Sequence, residues 1–241
     1  MTDLDSFNAL FRRWQRSVPL TDDDKRAVRA LPWSHKAYAR DAYLVREGQP
    51  TKVCTMLIDG FAFRQKLVTD GARQIISIHI PGELLDIQNC LLGIADHNVQ
   101  ALNRCTVGVI PKDSLVRLTE ERPNVRRAIW LDSLIDSSIF REWVVNVGRR
   151  DAKERIAHLL CELASRLKAA GLVEDATYQF PLTQEQIGDA TGLTPVHTNR
   201  TLQTLRRAGL ISLSKQRLSI LDWDGLAATG DFSDRYLHQA V

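Results

Sequence analysis

The sequence predicts an α+β chain in which an all-β unit is followed by one long helix and then by a helical unit closed with a β-hairpin. Three observations predict it. From Ala37 to Ile110, short β-branched and aromatic segments are punctuated by Gly, Asp and Pro. From Asn124 to Val147, apolar residues recur at helical spacing with no Gly or Pro among them. After Asp151 the period remains helical until two short strand-like segments flank Lys215.

Taken in order, Phe7, Leu10, Phe11 and Trp14 share one face of a first helix that Asp3 or Asp5 can cap, and a second runs from Thr21 to Ala30. Strands are expected at Tyr43–Arg46, Val53–Asp59, Phe61–Val68, Arg73–Ile80, Val99–Leu102 and Thr106–Pro111, with Thr69-Asp70-Gly71 as a hairpin turn. Strands this short and this frequent build a sandwich, jelly roll or barrel. Ser114–Glu121 reads as a short helix ended by Pro123. The long segment after it is apolar on two sides. One side suits the β-unit, and the other, carrying Ala128, Leu131, Leu134, Ile135 and Ser138, suits a second copy of the chain in a coiled coil, with Gly148 as hinge or C-cap. Ile156, Leu159, Leu160, Leu163 and Leu167 mark a further helix closed by Gly171, and Tyr178–Leu182 reads as a strand. Thr183 and Gln186 then form a capping box for a helix through Ala190. Thr191-Gly192-Leu193 turns the chain, and Thr194 caps a helix that starts with Pro195 and stops at Gly209.

Composition excludes more than it identifies. The 241 residues suit two modest domains, and 44% hydrophobic with 25% charged residues is that of an ordinary globular chain, neither collagen-like nor disordered nor a disulfide scaffold. No uncharged apolar run reaches the roughly 18 residues of a spanning helix, and no h-region opens the chain, so a cytoplasmic protein without membrane contact is expected. Cys54, Cys90, Cys105 and Cys161 are scattered, which predicts reduced, buried thiols; a Cys90–Cys105 redox pair is the minor alternative. The net charge of +3 advertises no polyanionic partner, so any case for nucleic acid must come from local clustering.

That clustering is present. Helix, three-residue turn, second helix and hairpin make a winged helix-turn-helix, whose second helix enters the DNA major groove. No acidic residue occurs between Asp189 and Asp222, while Arg200, Arg206, Arg207, Lys215, Arg217 and His197 all do. A local charge of +5 suits phosphates. In the second helix Thr198, Thr201, Leu202 and Leu205 face inward at 3.6-residue spacing, leaving Val196, His197, Asn199, Arg200 and Gln203 for DNA. Arg200 can grip guanine O6 and N7, Asn199 adenine or a phosphate, and Val196 a thymine methyl. Thr183, Gln184, Thr194 and His197 sit at helix starts suited to phosphates.

With these motifs, and with Pro81-Gly82-Glu83-Leu84 in the β-unit, the chain resembles the cyclic-AMP receptor/FNR (Crp/Fnr) superfamily of bacterial transcription regulators, over nearly its whole length. The resemblance implies a β-roll of the cyclic-nucleotide-binding kind over residues 1–122, a dimerisation helix over 123–148 and a winged helix-turn-helix over 149–241. It implies a homodimer on double-stranded DNA with a two-fold symmetric operator, RNA polymerase as a further partner, and an effector pocket around Gly82, Glu83, Leu84 and His97. Three departures qualify it. Ala95-Asp96-His97 stands where the cyclic-nucleotide branch has Arg-Ser/Thr-Ala, and no Lys or Arg occurs between Arg73 and Arg104, so cyclic AMP is not expected and any effector is an unknown small molecule. No cysteine precedes Cys54, against an N-terminal iron-sulfur cluster. Val196 replaces the usual recognition-helix Glu, so the base preference differs there. No cofactor, metal or catalytic residue is expected. The competing reading, a cupin-like metal-dependent enzyme with an accessory helix-turn-helix, needs a convergent His set, and His35, His79 and His97 are far apart in sequence.

Overall fold

The computed structural model describes residues 3–173 and 176–239, with side chains from Phe7 onward, so a cap from Asp3 or Asp5 lies outside the described side chains. Two compact units form: one from the residues up to Lys66 with Ser77–Asp136, the other from Leu67–Ile76 with Ser137–Gln239.

The first unit begins with α1 (Asp3–Gln15) and α2 (Asp22–Arg29). Phe7, Leu10, Phe11 and Trp14 of α1 are buried, as their spacing predicts. Thr21 caps α2 in a reciprocal box with Asp24. Seven strands follow: β1 (Ser34–Tyr38), β2 (Tyr43–Val45), β3 (Val53–Asp59), β4 (Ala62–Leu67), β5 (Arg73–His79), β6 (Asn98–Ala101) and β7 (Cys105–Pro111). They form two sheets, β1-β7-β3 and β2-β6-β4-β5. The hairpin turn falls at Thr69-Asp70-Gly71, where Gly71 adopts φ +86° and the Val68 amide donates to the Ala72 carbonyl. Two elements of this unit escape the sequence. Strand β1 is a polar, exposed segment defined by its antiparallel register with β7, from Ser34↔Val109 to Tyr38↔Cys105. Helix α3 (Ile87–Leu92) has six residues, too few to show a period.

Helix α4 (Lys112–Glu121) ends at Arg122, and Pro123 does not merely stop it: Pro123 is the first residue of α5 (Pro123–Arg149), where a missing N–H costs nothing. Val125, Ala128 and Ile129 of α5 join Leu10, Trp14, Met56, Ile110 and Leu115 in one apolar core. Gly148 is neither hinge nor cap, because α5 runs through it to Arg149.

The second unit contains the last part of α5, then α6 (Ala152–Ala170), β8 (Thr177–Gln179), α7 (Gln184–Thr191), α8 (Pro195–Arg207), β9 (Ile211–Ser214), β10 (Arg217–Ile220), α9 (Trp223–Thr229) and a 3-10 turn at Asp234–Leu237. Asp151 boxes Glu154 to start α6, and Gly171 ends it in the left-handed region. The sheet order is β8-β10-β9. Inside, Glu162 of α6 is fully buried and accepts three hydrogen bonds: from Trp143 Nε1 (2.9 Å), Arg166 (2.9 Å) and Tyr236 OH (3.0 Å). His158, one turn earlier, donates from Nδ1 to the Gly230 carbonyl at 3.0 Å, and its Nε2 meets the same tyrosine hydroxyl. A Cβ on Gly230 would lie 2.5 Å from the His158 nitrogen, so this contact of the chain's last segment with α6 requires glycine.

Candidate nucleic-acid interface

The helix pair is fixed at its turn. Gly192 takes φ +67° as the C-cap of α7, and the Leu193 amide donates to the Gly188 carbonyl at 3.0 Å. A Cβ on Gly188 would stand 2.4 Å from the Leu193 carbonyl oxygen, so the helices can turn this tightly only over a glycine. Gly188→Ala is therefore expected to lower stability by about 1–3 kcal/mol through overpacking, read as a drop in the urea midpoint. An unchanged midpoint would mean that the turn can open without cost.

The Thr194 hydroxyl accepts the His197 amide and Pro195 occupies the first position of α8. Thr198, Thr201, Leu202 and Leu205 are buried, the set the 3.6-residue spacing picks out. On the other side Val196 is 72% exposed, and Thr194, His197, Arg200 and Gln203 are exposed with it. Asn199 is half-buried; its side-chain oxygen accepts from Gln203 Nε2 at 3.0 Å, and Gln203 Oε1 accepts from Arg207 at 3.1 Å. This i,i+4 ladder holds three polar side chains along one line of the helix. Arg200 makes no side-chain hydrogen bond or ion pair among the described residues, so its guanidinium fork is free to meet a planar acceptor pair. Thr183 and Gln184 are exposed at the start of α7, with the Thr183 hydroxyl already engaged by the Gln186 amide.

The wing extends the basic surface. Lys215 and Gln216 both take positive φ, 48° and 61°, and so form the tight turn of the β9–β10 hairpin without glycine. Lys215 and Arg217 are exposed there. The acid that bounds the charge window, Asp189, is compensated within this unit by Arg73 of the β4–β5 turn segment at 2.6 Å. Sequence reasoning missed Arg73, which lies 116 residues away along the chain.

In the first unit the expected effector pocket is occupied by the chain's own side chains. Gly82 adopts φ +89°, and a Cβ there would lie 2.8 Å from Ala9 of α1, so α1 packs directly on the Pro-Gly-Glu-Leu turn. Glu83 accepts from Arg13 at 2.9 Å and lies 3.1 Å from His79 Nδ1, while Arg13 also pairs with Asp132 of α5. Arg64 donates to Asp136 at 2.8 Å and to the Leu85 carbonyl at 3.1 Å. The cavity among Arg13, His79, Glu83, Gln88, Asp132 and Asp136 measures about 10 Å³, room for one water. His97 is buried with Nδ1 2.5 Å from Asp96, and burial pulls its pKa down to about 4, so its imidazole is neutral at pH 7. Leu84 belongs to the apolar core. The cation-free stretch between Arg73 and Arg104 is thus no guide to the charge of the folded site, because α1 and β4 deliver Arg13 and Arg64 from outside it.

Of the five residues expected at a dimer face, Ala128 belongs to the first unit's core and Ser138 is buried, Leu131 and Ile135 are half-buried, and Leu134 is 63% exposed. The exposed apolar residues of α5 in the single chain are Leu134 together with Trp130, Phe140, Val144 and Val145. His35 stands exposed on β1 while His79 and His97 are buried, and the three form no metal-ligand set among the described residues, which leaves the cupin-like reading without support. No described helix is long and apolar enough to cross a membrane.

Residues 154–229 match the Crp-like helix-turn-helix domain, and residues 35–122 match the cyclic nucleotide-binding domain. The nitrogen fixation regulation protein FixK of Bradyrhizobium diazoefficiens is 32% identical over 166 residues, 69% of either chain. The transcriptional activator protein FnrL of Cereibacter sphaeroides is 25% identical over 205 residues, 83% of this chain and 82% of its own. The structure of FixK2 from Bradyrhizobium japonicum superposes with a TM-score of 0.76 at 22% identity, covering 84% of this chain and all of that one. With a nucleotide-binding-type roll, a Crp-like helix-turn-helix and a relative this similar, the chain belongs to the Crp/Fnr family of transcription regulators.

Proposed function

We propose that this regulator acts as a cytoplasmic homodimer that reads a two-fold symmetric operator through α8, without cyclic AMP as its effector. The observation that carries the DNA reading is the exposed face of α8: a capped helix start, an unpaired Arg200 and a sequence window with no acid between Asp189 and Asp222. Thr183, Gln184, Thr194 and His197 supply phosphate contacts, and Val196, Asn199, Arg200 and Gln203 face the bases. RNA polymerase is the expected protein partner, as for regulators of this type.

Support for the dimer comes from α5. Trp130, Leu134, Ser137, Arg141 and Val144 are exposed in steps of four and three, a 3.5-residue repeat that suits a left-handed two-helix seam, and three of the five are apolar. Selection from a random duplex pool with the purified protein tests the reading. Enrichment of paired half-sites about one helical turn apart is expected, with affinity falling steeply as salt rises. Failure to enrich any sequence would overturn it.

Support for the cyclic-AMP exclusion is steric and electrostatic: Glu83 is already paired with Arg13, and the space beside it holds one water. Calorimetric titration with cyclic AMP is expected to give no saturable heat, and micromolar affinity would refute this. Any effector of the roll is then a small molecule that does not need a nucleotide-sized cavity.

A further inference from the structure

The sequence shows no metal-binding spacing, yet the fold assembles one. Cys54 lies on β3, Asp86 immediately precedes α3, and Cys90 follows it by one helical turn on the same face of α3. We infer that Cys54, Asp86 and Cys90 form a binding site for one thiophilic divalent cation of the zinc class.

The two thiol sulfurs and a carboxylate oxygen lie within 4.8 Å of one another, and all three residues are buried. Tetrahedral zinc with bonds of about 2.3 Å to sulfur and about 2.0–2.2 Å to oxygen needs its ligands roughly 3.4–3.8 Å apart, so closing the set shortens each separation by at most about 1.0–1.4 Å. Asp86 is at the N-cap of α3, where such a side chain ordinarily accepts from the helix, but it makes no capping bond. Instead it turns inward, where Oδ1 accepts from the Thr55 amide at 2.7 Å. It has no ion pair among the described residues. The carboxylate thus stays on the side of the two thiols, so that the three ligand atoms already converge on one point. Metal entry releases one proton from each thiol to solvent, giving two thiolates and a carboxylate around the ion. The Cys90 thiol, which donates to the Val53 carbonyl at 3.0 Å, gives up that bond with its proton, and a water completes the coordination. Arg64 supplies nearby positive charge against the residual negative charge. The way in lies over α3, whose six residues include the exposed Leu91 and Leu92.

The test uses the full-length protein, reduced and stripped by a chelator, then titrated with Co²⁺ and with Zn²⁺ against a chromophoric chelator. One equivalent per chain is expected, with thiolate-to-cobalt charge-transfer absorption in the near ultraviolet. Asp86→Asn is expected to weaken zinc by about 10-fold or more while keeping the band. Cys54→Ser and Cys90→Ser each lose the band, whereas Cys161→Ala, in the other unit, keeps it. Far-ultraviolet dichroism checks that each variant folds, and the wild-type band is the signal against which the variants are read. A wild-type protein that shows no band, or that under peroxide only joins Cys54 to Cys90 as a disulfide, overturns the assignment. So does undiminished uptake by the folded serine variants.

Discussion

Arg200→Ala is expected to cost about 1–3 kcal/mol per half-site, which over two half-sites is about 30-fold to 10⁴-fold in operator affinity. The same substitution should leave binding to unrelated duplex almost unchanged, because one exposed charge out of five in the basic window is a small part of the non-specific term. Arg200 is singled out by its freedom: it is exposed, forms no ion pair among the described residues, and projects from a helix whose inner face is locked by Thr198, Thr201, Leu202 and Leu205. A guanidinium held in a salt bridge would have to give that up before reaching a guanine. Competitive titration of operator against scrambled duplex checks it. Equal losses on both DNAs would make Arg200 a phosphate contact, and no loss would remove it from the interface.

Leu134→Glu is the second large effect. The side chain is 63% exposed in the single chain, so charging it should barely disturb the fold, yet in a 3.5-residue seam it would place two carboxylates face to face. Sedimentation is expected to show monomers at micromolar concentration. Operator affinity should fall by about 10²-fold to 10⁴-fold, because the second half-site no longer gains from being tethered to the first. A variant that remains a tight dimer would move the interface away from this face of α5. Leu131 and Ile135 are less discriminating targets, since both are half-buried within the chain and their loss would confuse folding with assembly.

Local chemistry was legible wherever it stays local. The capping box of Thr183 with Gln186, the Thr194 cap, Pro195 at the helix start and the inward set of α8 are all set by neighbours three or four residues away, and each is where the pattern puts it. Most strands of the roll were equally visible. Four things were not. Strand β1 carries no apolar alternation and owes its conformation to pairing with β7, about 70 residues on. The outer face of α5 was only partly legible, because a helix apolar on two sides does not say which side its own domain will cover; in the single chain Ala128 lies in the core and Trp130 and Leu134 at the surface. The effector region was judged by the charges of a contiguous stretch, whereas Glu83, Asp132 and Asp136 receive their cations from Arg13 and Arg64. The metal-binding cluster was hidden for the same reason, since 35 residues of intervening chain separate Cys54 from Cys90.

The segment from Gly230 to Leu237 mixes Gly, Asp, Ser and Arg with Phe232, Tyr236 and Leu237. The hydrogen bond from Tyr236 to Glu162, and that from His158 to Gly230, fasten it to α6. A truncation at Thr229 would strip one of three donors from a fully buried carboxylate and uncover one flank of α6, a loss of about 1.5–3 kcal/mol for the charged hydrogen bond alone. Anyone shortening this protein for crystallisation, or replacing its last residues with a reporter, should therefore treat Tyr236 as part of the interior and attach the addition beyond Leu237.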